Sequence, residues 1–321
     1  MQQFGRKIAV ITGGGTGMGR ELVKQLAAAG CHVAFCDVSA ENMAVTRAES
    51  VALAPAGTRV TTHHCDVSSE PAVLAFRDAV RAEHDTDHVH LLFNNAGIGG
   101  GGSLFADDRA EWERTFAVDW WGVYYMTRAF LPLLVASAEA RIVNTSSVNG
   151  FWASLGPGTP HTAYSAAKFA VKGFTEALIT DLRLNAPHIK CSVVMPGHIG
   201  TSIFFNTAAV LGRPSPKEMS SEDLHPVRER FGAAANALSD DQLRAILQQV
   251  GEQFRDRAPT SAAEAATIIL DGVRNDVWRI LVGADAVALD EMVRAAPERA
   301  YEASFVQQLQ ERGLFAMVPR G

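Results

Sequence analysis

Two side chains that can exchange a proton stand four residues apart in the segment YSAAK. Tyr164 and Lys168 lie within a stretch whose apolar spacing predicts a helix over residues 163–185. Residues four apart on a helix share one face. Oxidation of an alcohol needs a base for the hydroxyl proton, and reduction of a ketone needs the same group as an acid. A free phenol has a pKa of about 10, which the Lys168 ammonium and an oxidised nicotinamide would move toward neutrality.

A serine at the end of a strand-like run can supply the neutral donor that holds the substrate oxygen as charge develops. Ser147, the second serine of NTSS, is the predicted donor, and Ser146 is the alternative. The following segment, NGFWASLGPGTPHTA, predicts a loop that brings three ring side chains near the site, Phe151, Trp152 and His161. These rings are interpreted as a substrate wall or gate, or as loop rings with no such role.

A glycine-rich turn, TGGGTGMG, follows the first strand-like run and opens a predicted helix. Glycines permit this tight turn and let a pyrophosphate approach backbone N–H groups at the positive end of the helix. The residues expected to contact the cofactor there are Gly13, Gly15, Thr16, Gly17, Met18 and Gly19. Asp37, directly after the second strand, can accept hydrogen bonds from the adenosine ribose and would repel a 2′-phosphate. Neither Thr16 nor Val38 offers positive charge, so NAD is predicted in preference to NADP.

Short apolar runs that could carry these residues alternate with longer amphipathic segments along the chain. The strand-like runs are KIAVIT, HVAFC, RVTTHHC, VHLLFN, RIVNTS, KCSVVM and RILVG. The helical segments begin near residues 18, 40 and 70 and span residues 110–135, 163–185 and 262–273. Because strands that are almost entirely apolar are covered on both faces, the pattern predicts an α/β, doubly wound, seven-stranded parallel sheet with helices on each side.

The same pattern predicts one domain over residues 1–283, with an insertion at about 198–259 and a C-terminal extension over 284–321. The insertion is too long for a simple connection. Within it, Ser239 and Gln242 have capping-box spacing, and five apolar residues share one helical face: Leu243, Ile246, Leu247, Val250 and Phe254. We interpret that stripe as part of a lid over the substrate, with core packing as the alternative.

Composition excludes several classes of partner. The formal charge is -6 and the basic residues are dispersed, so neither nucleic acid nor an anionic membrane surface is a predicted partner. No apolar stretch approaches the roughly 18 residues of a membrane span. His63 and His64 have no acidic or cysteine partner at metal-ligand spacing, and no metal site is predicted. The four cysteines are interpreted as free thiols of a cytoplasmic protein, Cys31, Cys36, Cys65 and Cys191.

The ordered set of TGGGTGMG, Asp66-Val67, NNAG and YSAAK resembles the short-chain dehydrogenase/reductase family, in its compact single-domain branch. The resemblance covers about residues 5–283 and includes Pro196-Gly197. It implies a Rossmann-type fold in which Asp66 and Val67 hold the adenine of NAD(P). It also implies that NNAG, Ile199 and Thr201 serve the nicotinamide end of the cofactor, the NNAG residues being Asn94, Asn95, Ala96 and Gly97.

Two features depart from the family's pattern. The loop between Ser147 and Tyr164 is longer than in most family members. Asp119, in VDWWG, stands where the family normally has an asparagine whose region binds a water that links the lysine to solvent. A carboxylate there would favour the Lys168 ammonium and partly offset its pull on Tyr164. Asp119 is therefore interpreted as part of a retuned proton relay, and the alternative is a lost relay in which Asp119 only pairs with Lys168.

The expected function is hydride transfer between NAD and a fairly apolar secondary alcohol or ketone, as a homodimer or homotetramer. The resemblance implies the oligomer, through the long helices that begin near residues 110 and 163. An epimerase or dehydratase of the longer family branch is one alternative, although that branch usually carries TGxxGxxG where this chain has TGxxxGxG. A non-catalytic NAD sensor with the same fold is the other, and Asp119 alone favours it.

Overall fold

The computed structural model describes residues 1–156 and 159–314. Its strands are β1 (Ile8–Thr12), β2 (His32–Asp37), β3 (Val60–His64), β4 (Leu91–Asn94), β5 (Ala140–Thr145), β6 (Ile189–Pro196), β7 (Ile199–Gly200), β8 (Thr260–Ser261) and β9 (Arg279–Val282). Seven of them form one parallel sheet in the order β3-β2-β1-β4-β5-β6-β9. This confirms the predicted doubly wound sheet. The two-residue strands β7 and β8 pair separately and were not predicted.

Helices cover both faces of the sheet because alternate strand residues point to opposite sides. They are α1 (Gly17–Ala28), α2 (Ala40–Leu53), α3 (Glu70–His84), α4 (Arg109–Phe116), α5 (Gly122–Val135), α6 (Thr162–Asn185), α7 (Ile203–Val210), α8 (His225–Asn236), α9 (Asp240–Asp256), α10 (Ala262–Arg274), α11 (Ala284–Ala295) and α12 (Ala303–Glu311). Ile11 and Phe93 join the apolar layer shared with α1 and α10. Val10 and Leu92 join the layer shared with α3, α5 and α6.

The sheet reverses its strand order between β1 and β4, which lie side by side although β1 leads to β2 on one flank and β4 leads to β5 on the other. In an open α/β sheet, ligands bind outside the carboxyl ends of the strands at such a switch point. Thr12 ends β1 and Asn94 ends β4. The glycine-rich turn and NNAG therefore meet at this edge.

The segment predicted as one helix over residues 110–135 is interrupted. A π-helical turn, Ala117–Trp121, separates α4 from α5. Such turns are rare and occur mostly at functional sites. This turn carries Asp119, which is fully buried.

The insertion folds as α7, α8 and α9. Both hydrogen bonds of the predicted capping box are present, so Ser239 starts α9 as expected. The apolar stripe is only partly buried, since Leu243 is buried whereas Ile246 and Val250 are 42% and 49% exposed. Core packing alone does not account for that stripe.

The C-terminal helices α11 and α12 pack against the segment that follows β5. Trp152 is buried among Leu289, Val293 and Phe305, and its Nε1 donates to the carbonyl oxygen of Ala300 at 2.8 Å. The expectation that Trp152 belongs to a substrate wall was wrong, because its indole fastens the C-terminal extension. Residues 315–321 of that predicted extension lie outside the described residues.

Within the described ranges, none of the helices combines the length and apolar character needed to cross a bilayer.

Candidate active site

Three of the predicted catalytic residues meet at the carboxyl end of β5. Tyr164 and Lys168 lie on successive turns at the start of α6, and the Lys168 Nζ is 5.2 Å from the centre of the Tyr164 ring. Ser147 follows β5 in extended conformation, and its hydroxyl is one of the groups that lower the pKa of the Tyr164 phenol. The i, i+4 spacing on a helix thus places phenol and ammonium together, and the strand end delivers the serine.

The two serines of NTSS occupy different positions. Ser146 Oγ donates to the carbonyl oxygen of Lys168 at 2.7 Å, so it anchors α6 to the strand end. Ser147 Oγ accepts from the backbone N–H of Asn149 at 3.1 Å. A hydroxyl that accepts one hydrogen bond keeps its own proton available for a substrate oxygen. This geometry favours Ser147 over Ser146 as the donor.

Lys168 is 2% exposed, and its environment keeps it charged. Burial lowers the pKa of Lys168, but the charges of Asp119 and Tyr164 and a hydrogen bond to Asp119 raise it above its ordinary value. Nζ lies 3.4 Å from Asp119 Oδ2 and donates to the carbonyl oxygen of Thr145 at 3.2 Å. The site therefore holds a buried ammonium.

Asp119 is the carboxylate that balances this ammonium. Its Oδ1 accepts the backbone N–H of Ile98 at 2.8 Å, and the π-helical turn points it toward Lys168. Burial raises the pKa of Asp119, whereas Lys168 and the Ile98 N–H lower it, and the net direction is upward. The pairing expected under both interpretations of Asp119 is present, and the choice between a retuned and a lost relay stays a hypothesis.

The same charges act on Tyr164. Burial raises the pKa of the phenol, Lys168 lowers it, Asp119 raises it, and the Ser147 hydrogen bond lowers it. The net direction is above the ordinary value of a tyrosine. The protein alone thus keeps Tyr164 protonated, and a further positive charge beside it is needed to make it a base near neutrality.

The glycine-rich turn before α1 requires glycines at several positions. Gly13 has φ +66°, and a Cβ at Gly19 would collide with the carbonyl oxygen of Gly13. Asp37 Oδ2 accepts the backbone N–H of Gly15 at 2.9 Å. The turn is thereby held against the end of β2 by the Asp37 carboxylate.

Arg20 also supports this turn, and the sequence reasoning missed it. Its guanidinium donates to the carbonyl oxygen of Gly15 at 2.6 Å and to Thr46 Oγ1 at 3.0 Å. The sequence signal that could have identified Arg20 was its position one turn into the helix that follows the glycine-rich turn. Thr16 and Met18 lie at the start of α1, and Thr16 Oγ1 accepts a hydrogen bond from Asn206 of α7 at 2.7 Å. The insertion therefore contacts the turn directly.

NNAG ties β4 to β1 at the switch point. The buried Asn94 amide donates to Thr127 Oγ1 and to Asn144 Oδ1, at 3.0 and 2.8 Å. The backbone N–H groups of Asn95 and Ala96 both donate to Thr12 Oγ1 at 3.0 Å. A side chain at Gly97 would crowd Lys168 Nζ and Asp119 Oδ1, at 3.1 and 3.2 Å.

The predicted adenine residues lie at the next strand end. Asp66 pairs with Arg114 Nη2 at 2.8 Å. Burial raises the pKa of Asp66, but Arg114 and Ser68 together bring it below the ordinary value. Val67 packs against Gly122 of α5, so the pair sits beside the turn that carries Asp119.

The segment after β6 completes the cleft. Thr201 lies against Gly17 of the glycine-rich turn, and buried Ile199 pairs with Thr260. Gly197 has no room for a side chain because Asp285 of α11 occupies that space, and Asp285 Oδ2 accepts the backbone N–H of His198 at 2.7 Å. The segment that begins at Pro196 is thus fixed by the C-terminal extension. Asp285 was not predicted, and no local sequence signal marks it.

Of the three loop rings, His161 alone lies beside Tyr164. Their ring centres are 4.6 Å apart. Phe151 instead lies near the guanidinium of Arg279, at 5.8 Å. The predicted wall is therefore reduced to His161.

The remaining sequence features have structural partners. His63 Nε2 hydrogen-bonds Thr61 Oγ1 at 2.9 Å, and its ring packs on Phe76. The glycines at 99–102 are fastened to their surroundings, with the carbonyl oxygens of Gly101 and Gly102 accepting N–H groups from the start of α6. In the part of the chain that the structure describes, no three His, Cys, Asp or Glu side chains are grouped as metal ligands.

The cleft fits a nicotinamide dinucleotide. Glycines line the start of α1 at the switch point, and Asp37 stands at the next strand end. Asn95 Oδ1 is buried and accepts no hydrogen bond from the described residues. Unsatisfied buried acceptors at a cleft are suited to a ligand or a water that donates to them.

Comparison with known proteins places the chain among oxidoreductases. A family model described as short chain dehydrogenase matches residues 7–209. A putative oxidoreductase, SadH, of Mycobacterium tuberculosis is 37% identical over 296 residues, which cover 92% of each chain. The levodione reductase of Leifsonia aquatica is 30% identical over 74% of this chain and 90% of its own.

Solved structures with the same fold hold either nicotinamide cofactor. A short-chain dehydrogenase/reductase from Burkholderia phymatum in complex with NAD has a TM-score of 0.72 and 30% identity, covering 93% of this chain and 96% of its own. A metagenomic short-chain oxidoreductase in complex with NADP has a TM-score of 0.54 and 32% identity, covering 60% and 83%.

Proposed function

The chain belongs to the short-chain dehydrogenase/reductase family, and from that premise we propose that it is an NAD-dependent oxidoreductase of secondary alcohols and ketones. The observation that carries the proposal is the grouping of partly buried Tyr164 with buried Ser147 and Lys168 at the carboxyl end of β5. This reaction needs a group that exchanges a proton, a positive charge that stabilises the deprotonated form of that group, and a hydroxyl that binds the substrate oxygen.

Each side chain has one task in the proposed mechanism. Ser147 donates a hydrogen bond to the substrate oxygen and places it beside the Tyr164 hydroxyl. Tyr164 accepts the hydroxyl proton when the alcohol is oxidised and returns it when the ketone is reduced. Lys168 stabilises the phenolate, and Asp119 keeps the lysine charged. NAD, when bound, would supply the hydride acceptor and a positive charge that would lower the pKa of Tyr164.

The cofactor is proposed to lie along the carboxyl ends of the strands. The glycine-rich turn would hold the pyrophosphate, and Asp37 the adenosine ribose. Asp66 and Val67 would flank the adenine, and NNAG with residues 196–201 would flank the nicotinamide.

Asp37 supports NAD over NADP, and Arg20 does not oppose this because its guanidinium is engaged by Gly15 and Thr46. Turnover with NAD should exceed turnover with NADP, and Asp37→Ser should narrow the difference; a wild-type preference for NADP would refute this assignment.

Residues 1–283 are proposed to act as one catalytic unit whose insertion, 198–259, covers the substrate. Phe204 and Phe205 of α7 pack on Gly251 of α9, and Phe204 is still 38% exposed. Partly exposed aromatic rings beside a cleft favour a substrate with apolar surface.

A homodimer or homotetramer is proposed from exposed aromatic side chains on the π-helical turn, α5 and α6. Trp121 and Phe169 are each 42% exposed, and Trp121 stacks on Tyr125 with ring centres 5.8 Å apart. Exposed aromatic groups of this kind mark protein contacts. Sedimentation analysis of wild type and Trp121→Glu would test the oligomer, and we expect the variant to dissociate.

A cytoplasmic location is proposed from the four buried free cysteines.

The decisive experiment replaces Tyr164 by phenylalanine. Turnover of secondary alcohols should fall by about 10²- to 10⁴-fold, because the acid-base group is lost while the ring remains. NAD binding, followed by calorimetry, should persist. Tyr125→Phe on α5 is the matched control and should keep its activity. Wild-type turnover in Tyr164→Phe would rule the mechanism out, and an inactive wild type that still binds NAD would favour a sensor.

A further inference from the structure

His161 is an imidazole in contact with the proposed acid-base residue. Its ring centre is 4.6 Å from that of Tyr164, and the two planes are inclined by 35°. It stands immediately before α6, as the last residue of the lengthened loop. The imidazole therefore lies beside the side chain that is proposed to bind the substrate oxygen.

The backbone around His161 is fixed. The N–H groups of Thr162 and Ala163 donate to the carbonyl oxygens of Gly102 and Gly101, both at 2.9 Å, and the carbonyl oxygen of His161 accepts the N–H of Ser165 at 3.1 Å. Trp112 Nε1 donates to Thr162 Oγ1 at 3.1 Å. The imidazole is thus held beside Tyr164 by its own main chain on both sides.

The imidazole has no hydrogen-bond partner among the residues that the structure describes. It is half-buried, it makes no capping hydrogen bond to α6, and neither ring nitrogen bonds to any group in residues 1–156 or 159–314. Burial lowers the pKa of His161 to about 4, so the ring is neutral near pH 7 and offers one N–H donor and one nitrogen acceptor. A partly buried polar ring without a protein partner loses hydrogen bonds to water unless a ligand replaces them.

We propose that His161 is a substrate-binding residue that hydrogen-bonds a second oxygen of the substrate, one or two carbons from the reacting carbon. This inference rests on the proposed function and narrows its substrate class. The preferred substrates are then 1,2- and 1,3-dioxygenated compounds, namely diols, hydroxyketones and diketones, in place of simple secondary alcohols. A neutral ring suits an uncharged second oxygen, whether hydroxyl or carbonyl, because it can donate or accept.

A purely structural role would have different consequences. If His161 served only to pack against Tyr164, another ring of similar size could replace it. A substitution would then change kcat/KM by the same factor for substrates with and without the second oxygen. If it binds the second oxygen, a substitution changes the preference between them, because an unpaired polar group is costly only where the site was built to bond it.

The test compares matched substrates in three forms of the enzyme. Butane-2,3-diol is paired with butan-2-ol, cyclohexane-1,2-diol with cyclohexanol, and 1-phenylethane-1,2-diol with 1-phenylethanol. His161→Phe keeps a ring beside Tyr164 and removes both hydrogen-bonding nitrogens, whereas His161→Asn keeps a donor and an acceptor and loses the ring. Circular dichroism and calorimetric NAD binding verify that each variant is folded and holds the cofactor.

For wild type we expect kcat/KM to be about tenfold higher for the dioxygenated member of a pair, the value of one net hydrogen bond. His161→Phe should bring that ratio close to one by lowering kcat/KM more for the dioxygenated member of each pair than for the simple alcohol, and His161→Asn should recover part of the ratio. An equal ratio in wild type and His161→Phe, or no preference in wild type, would overturn the role of His161 and leave the oxidoreductase proposal standing. Absence of turnover for all six compounds and their ketones with either cofactor would count against both proposals.

Discussion

Replacing Asp119 by asparagine isolates the charge that distinguishes this site from the family's usual pattern. Asparagine has nearly the same shape, and its side-chain oxygen can still accept the Ile98 N–H that Asp119 Oδ1 accepts at 2.8 Å. The substitution thus removes the carboxylate beside Lys168 with little change in packing.

The size of the perturbation follows from the distance between the two charges. At 3.4 Å and an effective dielectric constant of about 20, the attraction between Asp119 and Lys168 is about 5 kcal/mol. The burial that raises the pKa of Asp119 opposes this gain. Because Lys168 is left buried without its counter-ion, we expect the variant to lose about 3–5 kcal/mol of unfolding free energy at neutral pH.

The dependence of this loss on pH has a definite sign. The folded protein raises the pKa of Lys168, so the stabilisation by the pair is complete below the unfolded value of about 10.4 and disappears as the pH rises through the folded value. In Asp119→Asn, burial is the largest remaining influence on Lys168 and lowers its pKa. Urea unfolding between pH 7 and 11 should therefore show a stability difference that shrinks at high pH.

The catalytic consequence appears in the pH profile of alcohol oxidation. Asp119 raises the pKa of Tyr164, so its removal lets the Lys168 charge act unopposed and lowers that pKa. The rising limb of kcat/KM should move to lower pH in Asp119→Asn. Asp290→Asn is the control, since Asp290 is also buried, accepts from Arg279 Nη1 at 2.8 Å and lies outside the site. An unmoved limb in Asp119→Asn, with stability reduced as in the control, would refute the retuned relay.

Two further predictions concern the scaffold. Trp152→Phe should cost about 1–3 kcal/mol of unfolding free energy, because it leaves the carbonyl oxygen of Ala300 without its donor. Limited proteolysis should then cleave the C-terminal extension faster than in the wild type. Unchanged cleavage would mean that the indole does not hold the extension in place. Burial lowers the pKa of His84 and of His90 to about 4. Because the unfolded value is about 6.5, the stability that depends on the neutral rings is fully present above about pH 6.5 and is lost as the pH falls toward about 4. Each histidine accounts for up to about 3 kcal/mol of that loss. The urea midpoint of the wild type should therefore fall between about pH 6.5 and about pH 4. It should fall less in His90→Asn, because His90 Nδ1 accepts the Ile8 N–H in the wild type only while it is unprotonated. An equal dependence on pH in the two proteins would show that His90 does not titrate in this way.

Local spacing was sufficient for the sheet and for much of the site. Alternating apolar runs specify strands buried on both faces, and a parallel sheet is the arrangement that covers them. Glycines between β1 and α1 mark a turn that only such residues can form, and four residues of helix place Lys168 beside Tyr164. These features depend on neighbours in the chain, so a sequence displays them directly.

Contacts between distant segments required the tertiary structure. Asp119 meets Lys168 only because a π-helical turn interrupts the predicted helix and rotates the carboxylate inward. Trp152 and His161 lie in one loop, yet one is drawn to the C-terminal helices and the other to Tyr164. Asp285 reaches the cofactor cleft from the far end of the chain, where no local pattern marks it.

The sequence by itself thus determined the fold class, the glycine-rich turn and the tyrosine–lysine pair. Only the tertiary structure decided which serine faces the tyrosine, which loop ring lines the site and which carboxylate balances the buried ammonium. The physical reason is that hydrogen-bond direction and burial depend on groups brought together from separate elements, whereas periodicity and turn chemistry are properties of a continuous segment.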